Sequence, residues 1–198
     1  MDLEAADVDA PQGGRRRASM LPPEERRSKI VESTFPLLLA HGEMVTTRQI
    51  ADAAGIAEGT IFRVFDDKDA LIRAVLDAVF DPEPFDNSVR ALDPDLSFEA
   101  ALVALVTLFQ RRAMVIWRLA SSVGPRFHDD ARKNVILSPP VVAFFEAHRD
   151  GIGIPPTEAA QLLRSLTLAL THPSLAEEPM DPQHIVDLFL HGAGPRPC

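Results

Sequence analysis

The chain has 198 residues, 46% of them hydrophobic, so its composition allows a packed core and excludes a globally disordered protein. Its one cysteine, Cys198, excludes a disulfide within these residues and is typical of a protein from a reducing compartment. The net charge of −9 argues against nucleic acid as a partner until its distribution along the chain is considered.

The charge is distributed unevenly. Residues 1–14 carry four acidic and no basic side chains, and residues 74–198 carry sixteen acidic and ten basic ones. Residues 15–73, in contrast, carry ten Lys or Arg and nine Asp or Glu, and are the only part that is not acidic. Because charges are screened beyond a Debye length of about 8 Å, a local patch in this part can hold DNA while the acidic remainder points away.

Residues 1–22 are polar and contain the run Arg15–Arg17 among Pro and Gly residues, which predicts a disordered arm. The simplest interpretation of the Arg run is a solvated tail; the alternative is a basic arm that reaches phosphates or a minor groove. The first residues lack the apolar run of a secretory signal, and the longest apolar stretch, Ala100–Phe109, is shorter than the roughly 18 residues of a membrane span. We therefore expect a soluble cytoplasmic protein without a membrane partner.

Three helices are predicted next. Apolar residues spaced by three and four positions predict a first helix over residues 23–40, which Pro36 should kink because it removes a backbone hydrogen bond. Thr46 can cap a second helix, and Gly55 can supply the positive φ of a tight turn at its end. A third helix is predicted over residues 57–65. Two short helices around a glycine turn are typical of a helix-turn-helix, whose second helix enters the major groove of DNA.

The start of the predicted third helix has small side chains, which let its backbone approach a groove and offer N–H groups to a phosphate. Glu58 can accept a hydrogen bond from a cytosine amino group, and the methyl group of Thr60 can touch a thymine methyl. Polar residues at the starts of neighbouring helices suit phosphate contacts, which set register without reading sequence. The candidate DNA-binding residues are Thr46, Thr47, Arg48, Ala57, Glu58, Gly59, Thr60, Phe62, Arg63 and Lys68.

The remainder also predicts helices. Asp66 or Asp67 can cap a fourth helix that ends at residues 81–84, and a short helix is expected after Pro125. No alternating strand pattern competes, so the predicted fold class is all-α. The other predicted helices span residues 96–123, 139–148, 156–170 and 182–192.

Residues 30–76 resemble the N-terminal domain of the TetR family of transcriptional regulators, over roughly a quarter of the chain. The family usually has Tyr at the position of Phe62, which keeps the packing role and lacks a hydroxyl group for a phosphate. The resemblance implies an all-helical homodimer with a three-helix DNA-binding domain, a linking fourth helix and a C-terminal helical domain that binds a ligand and dimerises. The residues that carry it are Gly42, Thr46–Thr47, Ile50–Ala51, Ala54–Ile56, Gly59–Phe62, Phe65, Lys68 and Leu71.

We accordingly predict a disordered arm over residues 1–22, a TetR-type DNA-binding domain over residues 23–83 with its motif at residues 46–65, and a regulatory and dimerisation domain over residues 84–198. Large apolar side chains of the last domain are either plain core or the wall of an effector pocket between helices. His128 and two arginines are possible polar anchors there. The candidate ligand-binding residues are Phe109, Met114, Trp117, Arg118, Phe127, Phe144 and Arg164.

The last two predicted helices are apolar on nearly all sides, which indicates deep burial or an interface between subunits. A two-fold dimer built on them would place two reading helices on a palindromic operator. The candidate interface residues are Leu162, Leu163, Leu166, Leu170, Ile185 and Phe189.

The predicted function is a DNA-binding transcriptional regulator, a repressor released from a palindromic operator by a small apolar effector, with no cofactor. Its predicted partners are double-stranded DNA, a second copy of itself and an effector of unknown identity. One alternative is a dimeric interaction module with reduced DNA binding; the acidic balance and Phe62 support it slightly, whereas Thr46–Arg48 and Gly59–Thr60 argue against it. Another is a small metal-dependent enzyme, for which His184, Asp187 and His191 are the raw material, although the chain has no HExxH, GxSxG or phosphate-binding glycine loop.

Overall fold

The computed structural model describes residues 22–124, 137–175 and 177–194. Throughout these ranges the regular structure is helical, which confirms the all-α fold class. Short 3₁₀ turns lie at Gly42–Met44 and Arg149–Gly151. The α-helices are α1 (Pro23–His41), α2 (Thr47–Ala54), α3 (Glu58–Ile61), α4 (Lys68–Phe80), α5 (Glu83–Arg90), α6 (Phe98–Ser122), α7 (Pro139–Ala147), α8 (Pro156–Thr171) and α9 (Pro182–His191).

Most helix boundaries lie within two residues of the prediction, and two elements differ. Helix α5 occupies a segment that we interpreted as a helix end, because Pro82 and Pro84 lie at the start of a helix, where a missing N–H costs nothing. Helix α3 is a single turn rather than a helix over residues 57–65. After it, the N–H groups of Arg63 and Val64 bond to carbonyl oxygens three residues back, in the tighter 3₁₀ manner. The predicted arm and the short helix after Pro125 lie outside the described residues.

The described helices enclose two hydrophobic cores. The first core is formed by α1 to α4, and the residues predicted to face inward in the helix-turn-helix, among them Ile50, Ala54 and Ile61, are buried in it. The second core is formed by α5, α7, α8, α9 and the N-terminal half of α6. Helix α6 also buries Leu119, and Val123 just beyond its end, in the first core. Within the described ranges it is the helix that contributes buried side chains to both cores.

Helix α6 is also long and apolar enough, by length and composition alone, to cross a membrane. A helix of this length was not expected to pass such a test, because the uninterrupted apolar run, Ala100–Phe109, covers less than half of it. Because apolar side chains of α6 pack into both cores, we interpret it as a core helix.

A close junction joins the end of α6 to the turn after α1. A Cβ atom on Gly42 would overlap the carbonyl oxygen of Ser122, so only glycine allows these two backbones to approach so closely. The carboxylate of the next residue, Glu43, accepts a hydrogen bond of 2.8 Å from the N–H of Gly124. The backbone carbonyl of Glu43 accepts a hydrogen bond from the ammonium group of Lys68, at the start of α4. One turn therefore contacts both the end of α6 and the start of α4.

Replacing Gly42 with Ala tests this junction. Gly42 (φ 56°, ψ −143°) and Gly192 (φ 70°, ψ −167°) have similar backbone angles that disfavour any side chain, at a cost of about 1–3 kcal/mol each. Of these two glycines, Gly42 is the one at which an added methyl group would overlap another atom, the carbonyl oxygen of Ser122. We expect Gly42→Ala to lower the free energy of unfolding, measured in urea, by at least about 1 kcal/mol more than the control Gly192→Ala. Equal losses would show that the close approach contributes nothing.

Candidate nucleic-acid interface and central cavity

Helix α2 begins at a capping box. The hydroxyl oxygen of Thr46 accepts a hydrogen bond of 3.2 Å from the backbone N–H of Gln49, and the side-chain oxygen of Gln49 accepts one of 2.8 Å from the N–H of Thr46. The predicted cap is therefore confirmed. Thr46 itself is exposed.

The turn between α2 and α3 is set by Gly55, which has the left-handed angles φ 68° and ψ 37°. The N–H of Ile56 bonds to the carbonyl of Ala51 at 3.0 Å, and the N–H of Gly55 bonds to that of Asp52 at 3.2 Å, which together form a Schellman motif. Behind the turn, Ile61 is fully buried. These contacts fix the direction of α3 relative to α2.

The outer face of α3 is open. A Cβ atom on Gly59 would meet no heavy atom within 4 Å, and Ala57, Glu58 and Arg63 are exposed. Small side chains at the start of a helix that lies on the surface leave room for a groove of DNA. Phe62 is 51% exposed and lies outside the first core, so the packing role expected for it is wrong; Ile61 and Phe65 carry that role.

Helices α2 and α3 are tied together at their starts by side chains. The hydroxyl group of Thr47 donates a hydrogen bond of 2.5 Å to the carboxylate of Glu58. The acceptor proposed for a cytosine amino group thus already accepts the hydroxyl group of another candidate DNA-binding residue. A base that reaches Glu58 must compete with Thr47 or share the carboxylate with it.

The predicted cations differ in their freedom to contact phosphates. Arg48 and Arg63 are exposed, whereas Lys68 is half-buried and donates to the Glu43 carbonyl, so its first role in this structure is at the junction. Arg27 is a further exposed cation that was not predicted; its guanidinium group lies 4.5 Å from the ring centre of Phe65. The signal for it was the cluster of basic residues at the start of α1.

A cavity of about 270 Å³ lies among α4, α5, α6, α8 and the segment before α7. Three predicted ligand-binding residues, Phe109, Trp117 and Arg164, line it together. Its apolar wall also includes Phe80, Phe85, Ile116 and Leu168.

The other candidates lie elsewhere. Met114 and Arg118 line a more open groove that Trp117 also borders, and Phe144 lines a third depression beside His148. Phe127 and His128 lie outside the described residues. The structure therefore separates the predicted pocket residues into three places and brings only part of them to the enclosed cavity.

Two charged residues of the cavity were missed. The guanidinium group of Arg112 donates hydrogen bonds of 2.9 Å to the carbonyl oxygens of Phe80 and Asp81, at the end of α4. Burial lowers the pKa of Arg112, and the carboxylates of Asp86 and Asp81 act in the opposite direction. Asp86 is 6% exposed and accepts a hydrogen bond of 2.6 Å from the hydroxyl group of Ser138.

These residues were missed for local reasons. Asp86 belongs to α5, a helix that was not predicted because Pro82 and Pro84 lie at its start. Arg112 directly follows Arg111, and two adjacent arginines are typical of a solvated surface. Arg164, which was predicted, has no hydrogen bond or ion pair within the described part of the chain. Aromatic pairs order the wall of the cavity: the ring centres of Phe85 and Phe109 are 5.0 Å apart, and those of Trp117 and His172 are 4.5 Å apart.

The candidate dimer residues are unequal in exposure. Leu163 and Ile185 are fully buried in the second core, so their assignment to a surface between subunits is wrong: their apolar character serves the protomer. Leu162 is 49% exposed. Leu166, Leu170 and Phe189 are half-buried at the edge of the same core, where part of each side chain reaches the surface.

The proposed metal ligands do not converge. In the part of the chain that the structure describes, no group of three or more His, Cys, Asp or Glu residues has a metal-binding arrangement. A ring nitrogen of His191 lies 3.2 Å from the carbonyl oxygen of Asp187, an ordinary contact within a helix.

Residues 30–75 match the family described as bacterial regulatory proteins, tetR family. The match runs from within α1 to within α4 and confirms the resemblance found in the sequence. Over these residues the match is to regulatory proteins and not to an enzyme family. No curated protein matches the chain.

Solved structures share the fold at low sequence identity. The chain is similar to the TetR-like regulator LfrR from Mycobacterium smegmatis in complex with proflavine, with 20% identity, a TM-score of 0.55 and coverage of 87% of this chain and 99% of that one. It is also similar to the TetR regulator SCO0520 from Streptomyces coelicolor, with 24% identity, a TM-score of 0.53 and coverage of 85% and 98%. A transcriptional regulator from Rhodococcus sp. Rha1 has 19% identity, a TM-score of 0.52 and coverage of 86% and 94%.

Substitutions of the two glycines of the helix-turn-helix, Gly55 and Gly59, should have opposite effects on the free energy of unfolding. Gly55→Ala forces a side chain into left-handed angles and should lower the free energy of unfolding by about 1–2 kcal/mol. Gly59→Leu points into open space within a helix, so stability should stay the same or rise by up to about 1 kcal/mol.

Affinity for DNA should separate the same two variants. Gly59→Leu should weaken binding to a selected operator at least about tenfold, since the loss of one base contact costs about 1–3 kcal/mol. Chemical denaturation and a fluorescence-anisotropy titration measure the two effects. Full operator affinity in Gly59→Leu would remove α3 from the interface.

Proposed function

We propose that this DNA-binding transcriptional regulator, whose residues 30–75 match the TetR family, is a homodimeric repressor that a small, mainly apolar effector releases from a palindromic operator. It would act in the cytoplasm, where its DNA lies. The observation that carries the proposal is the double role of α6, which lines the cavity and buries its C-terminal end in the core of the DNA-binding helices.

The DNA-binding side of the proposal rests on exposure and order. The start of α3 is open to solvent and its direction is fixed by Gly55 and Ile61. Exposed arginines at residues 48 and 63 supply positive charge for phosphates. A rigid small-residue surface with adjacent cations suits combined groove and phosphate contacts.

The effector side rests on the position of the cavity. Phe80 and Asp81 end α4, and Arg112 of α6 holds both of their carbonyl oxygens. A ligand in the cavity would touch the same arginine and the same end of α4. It can release DNA only if it binds one arrangement of α4 and α6 better than another, which shifts the population of the two. The similar protein LfrR was solved in complex with proflavine, a flat aromatic compound, which supports the proposal of an aromatic ligand for this chain.

The dimer rests on α8. Leu162, Leu166 and Leu170 follow one another at four-residue intervals and keep part of their apolar surface accessible. An accessible apolar stripe at the edge of a core is suited to a second subunit. A two-fold axis through α8 and α9 would give two copies of α3 for the two half-sites of a palindrome.

Selection of operators from random DNA with the purified protein tests the proposal directly. We expect a palindromic sequence, bound with strong dependence on salt. The alternative of an interaction module without DNA binding predicts that no sequence is enriched at any salt concentration.

Arg63→Gln is expected to weaken operator binding without unfolding the protein, because Arg63 is exposed and has no hydrogen bond or ion pair within the described ranges. Loss of one phosphate contact should reduce the slope of log affinity against log salt by about 1 per protomer. Arg111→Gln, which removes an exposed arginine of α6, is the matched control and should leave the slope unchanged. An unchanged slope in Arg63→Gln would remove this residue from the phosphate contacts.

Leu162→Glu places a charge on the proposed dimer surface. We expect it to shift the protein towards the monomer in sedimentation equilibrium and to weaken operator binding at least about tenfold, since burying an unpaired charge is costly. Val115→Glu alters a similarly exposed apolar residue of α6 and serves as the control. If both variants remain dimers with equal DNA affinity, the dimer surface lies elsewhere.

A further inference from the structure

We infer that the ligand of the central cavity is a small amphipathic monoanion, an aryl or aralkyl carboxylate, whose carboxylate pairs with Arg164. This inference rests on the proposed function in one respect: it takes the cavity to be the effector site. It narrows the effector from an apolar compound to an apolar body with one negative charge.

The apolar part of the ligand follows from the wall of the cavity. Phe80, Phe85, Phe109, Ile116, Trp117 and Leu168 surround the space, and an aromatic body can stack against these rings. The volume of about 270 Å³ admits roughly ten non-hydrogen atoms, taking about 30 Å³ for each water-sized group. A single ring with a short side chain fits this space.

The negative charge follows from the charged residues that line the cavity. Arg112 gives its guanidinium N–H groups to the two carbonyl oxygens that end α4, and its charge is opposed by the nearby carboxylate of Asp86. Asp86 in turn accepts the hydroxyl group of Ser138. Arg112 and Asp86 therefore compensate each other and are already satisfied.

Arg164 is the charged residue of the described cavity lining that has no compensating partner there. It lines the cavity and is half-buried, and within the described residues it has neither a hydrogen bond nor an ion pair. A guanidinium group that is partly removed from water gains from a carboxylate, which can accept two of its N–H groups at once. Among the described residues, the one carboxylate that lines the cavity is the compensated Asp86, so a cationic ligand would meet a net positive set of described side chains.

Three matched probes test the sign of the charge: 3-phenylpropanoate, 3-phenylpropanamide and 3-phenylpropylammonium. They share one aromatic body and differ in charge. Trp117, the only tryptophan of the chain, lines the cavity and reports binding by its fluorescence, and calorimetry gives the affinity of the full-length protein. We expect the carboxylate to bind at least about tenfold more tightly than the amide, and the ammonium compound to bind more weakly than either.

Variants of Arg164 assign the preference to one side chain. Arg164→Gln should abolish the preference for the carboxylate over the amide while leaving the affinity for the amide unchanged. Arg164→Lys keeps the charge and should keep most of the preference. Arg111→Gln, an exposed arginine of α6 that lines none of the cavities described above, should behave like the wild type. Thermal unfolding confirms that each variant is folded.

Four results would overturn the inference. The first two are equal affinity for the carboxylate and the amide, and a preference for the ammonium compound. The third is a preference for the carboxylate that survives Arg164→Gln in a folded protein. The fourth is that no probe binds and changes the fluorescence of Trp117. Failure of the proposed function gives a different result. In that case the carboxylate binds through Arg164 as expected, while selected operator DNA is retained in its presence.

Discussion

Helix α6 buries side chains in both hydrophobic cores. The other described helices pack around one or the other of these two cores. The N-terminal half of α6 packs in the second core, and its middle, from Phe109 to Trp117, lines the cavity. Its end packs under the DNA-binding helices and meets Gly42 so closely that no side chain is tolerated there. Because packed cores resist gradual deformation, we expect a displacement of α6 at the cavity to change the packing of the first core as well.

The junction beside Gly42 gives this packing a direction. Glu43 binds the N–H of Gly124 with its carboxylate and the ammonium group of Lys68 with its carbonyl, so one residue contacts the segment after α6 and the start of α4. At the other end of α4, Arg112 holds the last carbonyl oxygens. Helix α4 is therefore held from α6 at one end and from the turn after α1 at the other. At one end the contact is Arg112 of α6 itself, and at the other it is Glu43, which also contacts the segment after α6.

How much the sequence predicts depends on how local the determining contacts are. The capping box at Thr46, the turn at Gly55 and the inward residues of the helix-turn-helix depend on neighbours a few positions away, and their predictions are confirmed. Helix α5, Asp86 and Arg112 were missed because prolines and charges have one meaning at the surface and another in a packed setting. Leu163 and Ile185 were assigned to the wrong surface, because an apolar helix face does not reveal whether its neighbour is the same chain or a second copy.

The central claim is that the cavity and the DNA-binding surface are coupled through α6. Reciprocal linkage tests it most directly: the dissociation constant of a compound that changes Trp117 fluorescence is measured for the free protein and for the protein saturated with its selected operator. We predict that operator DNA weakens binding of the compound by the same factor by which the compound weakens binding of the operator. Equal affinity of the compound for the free and the DNA-bound protein would contradict the coupling, whatever the chemistry of either site.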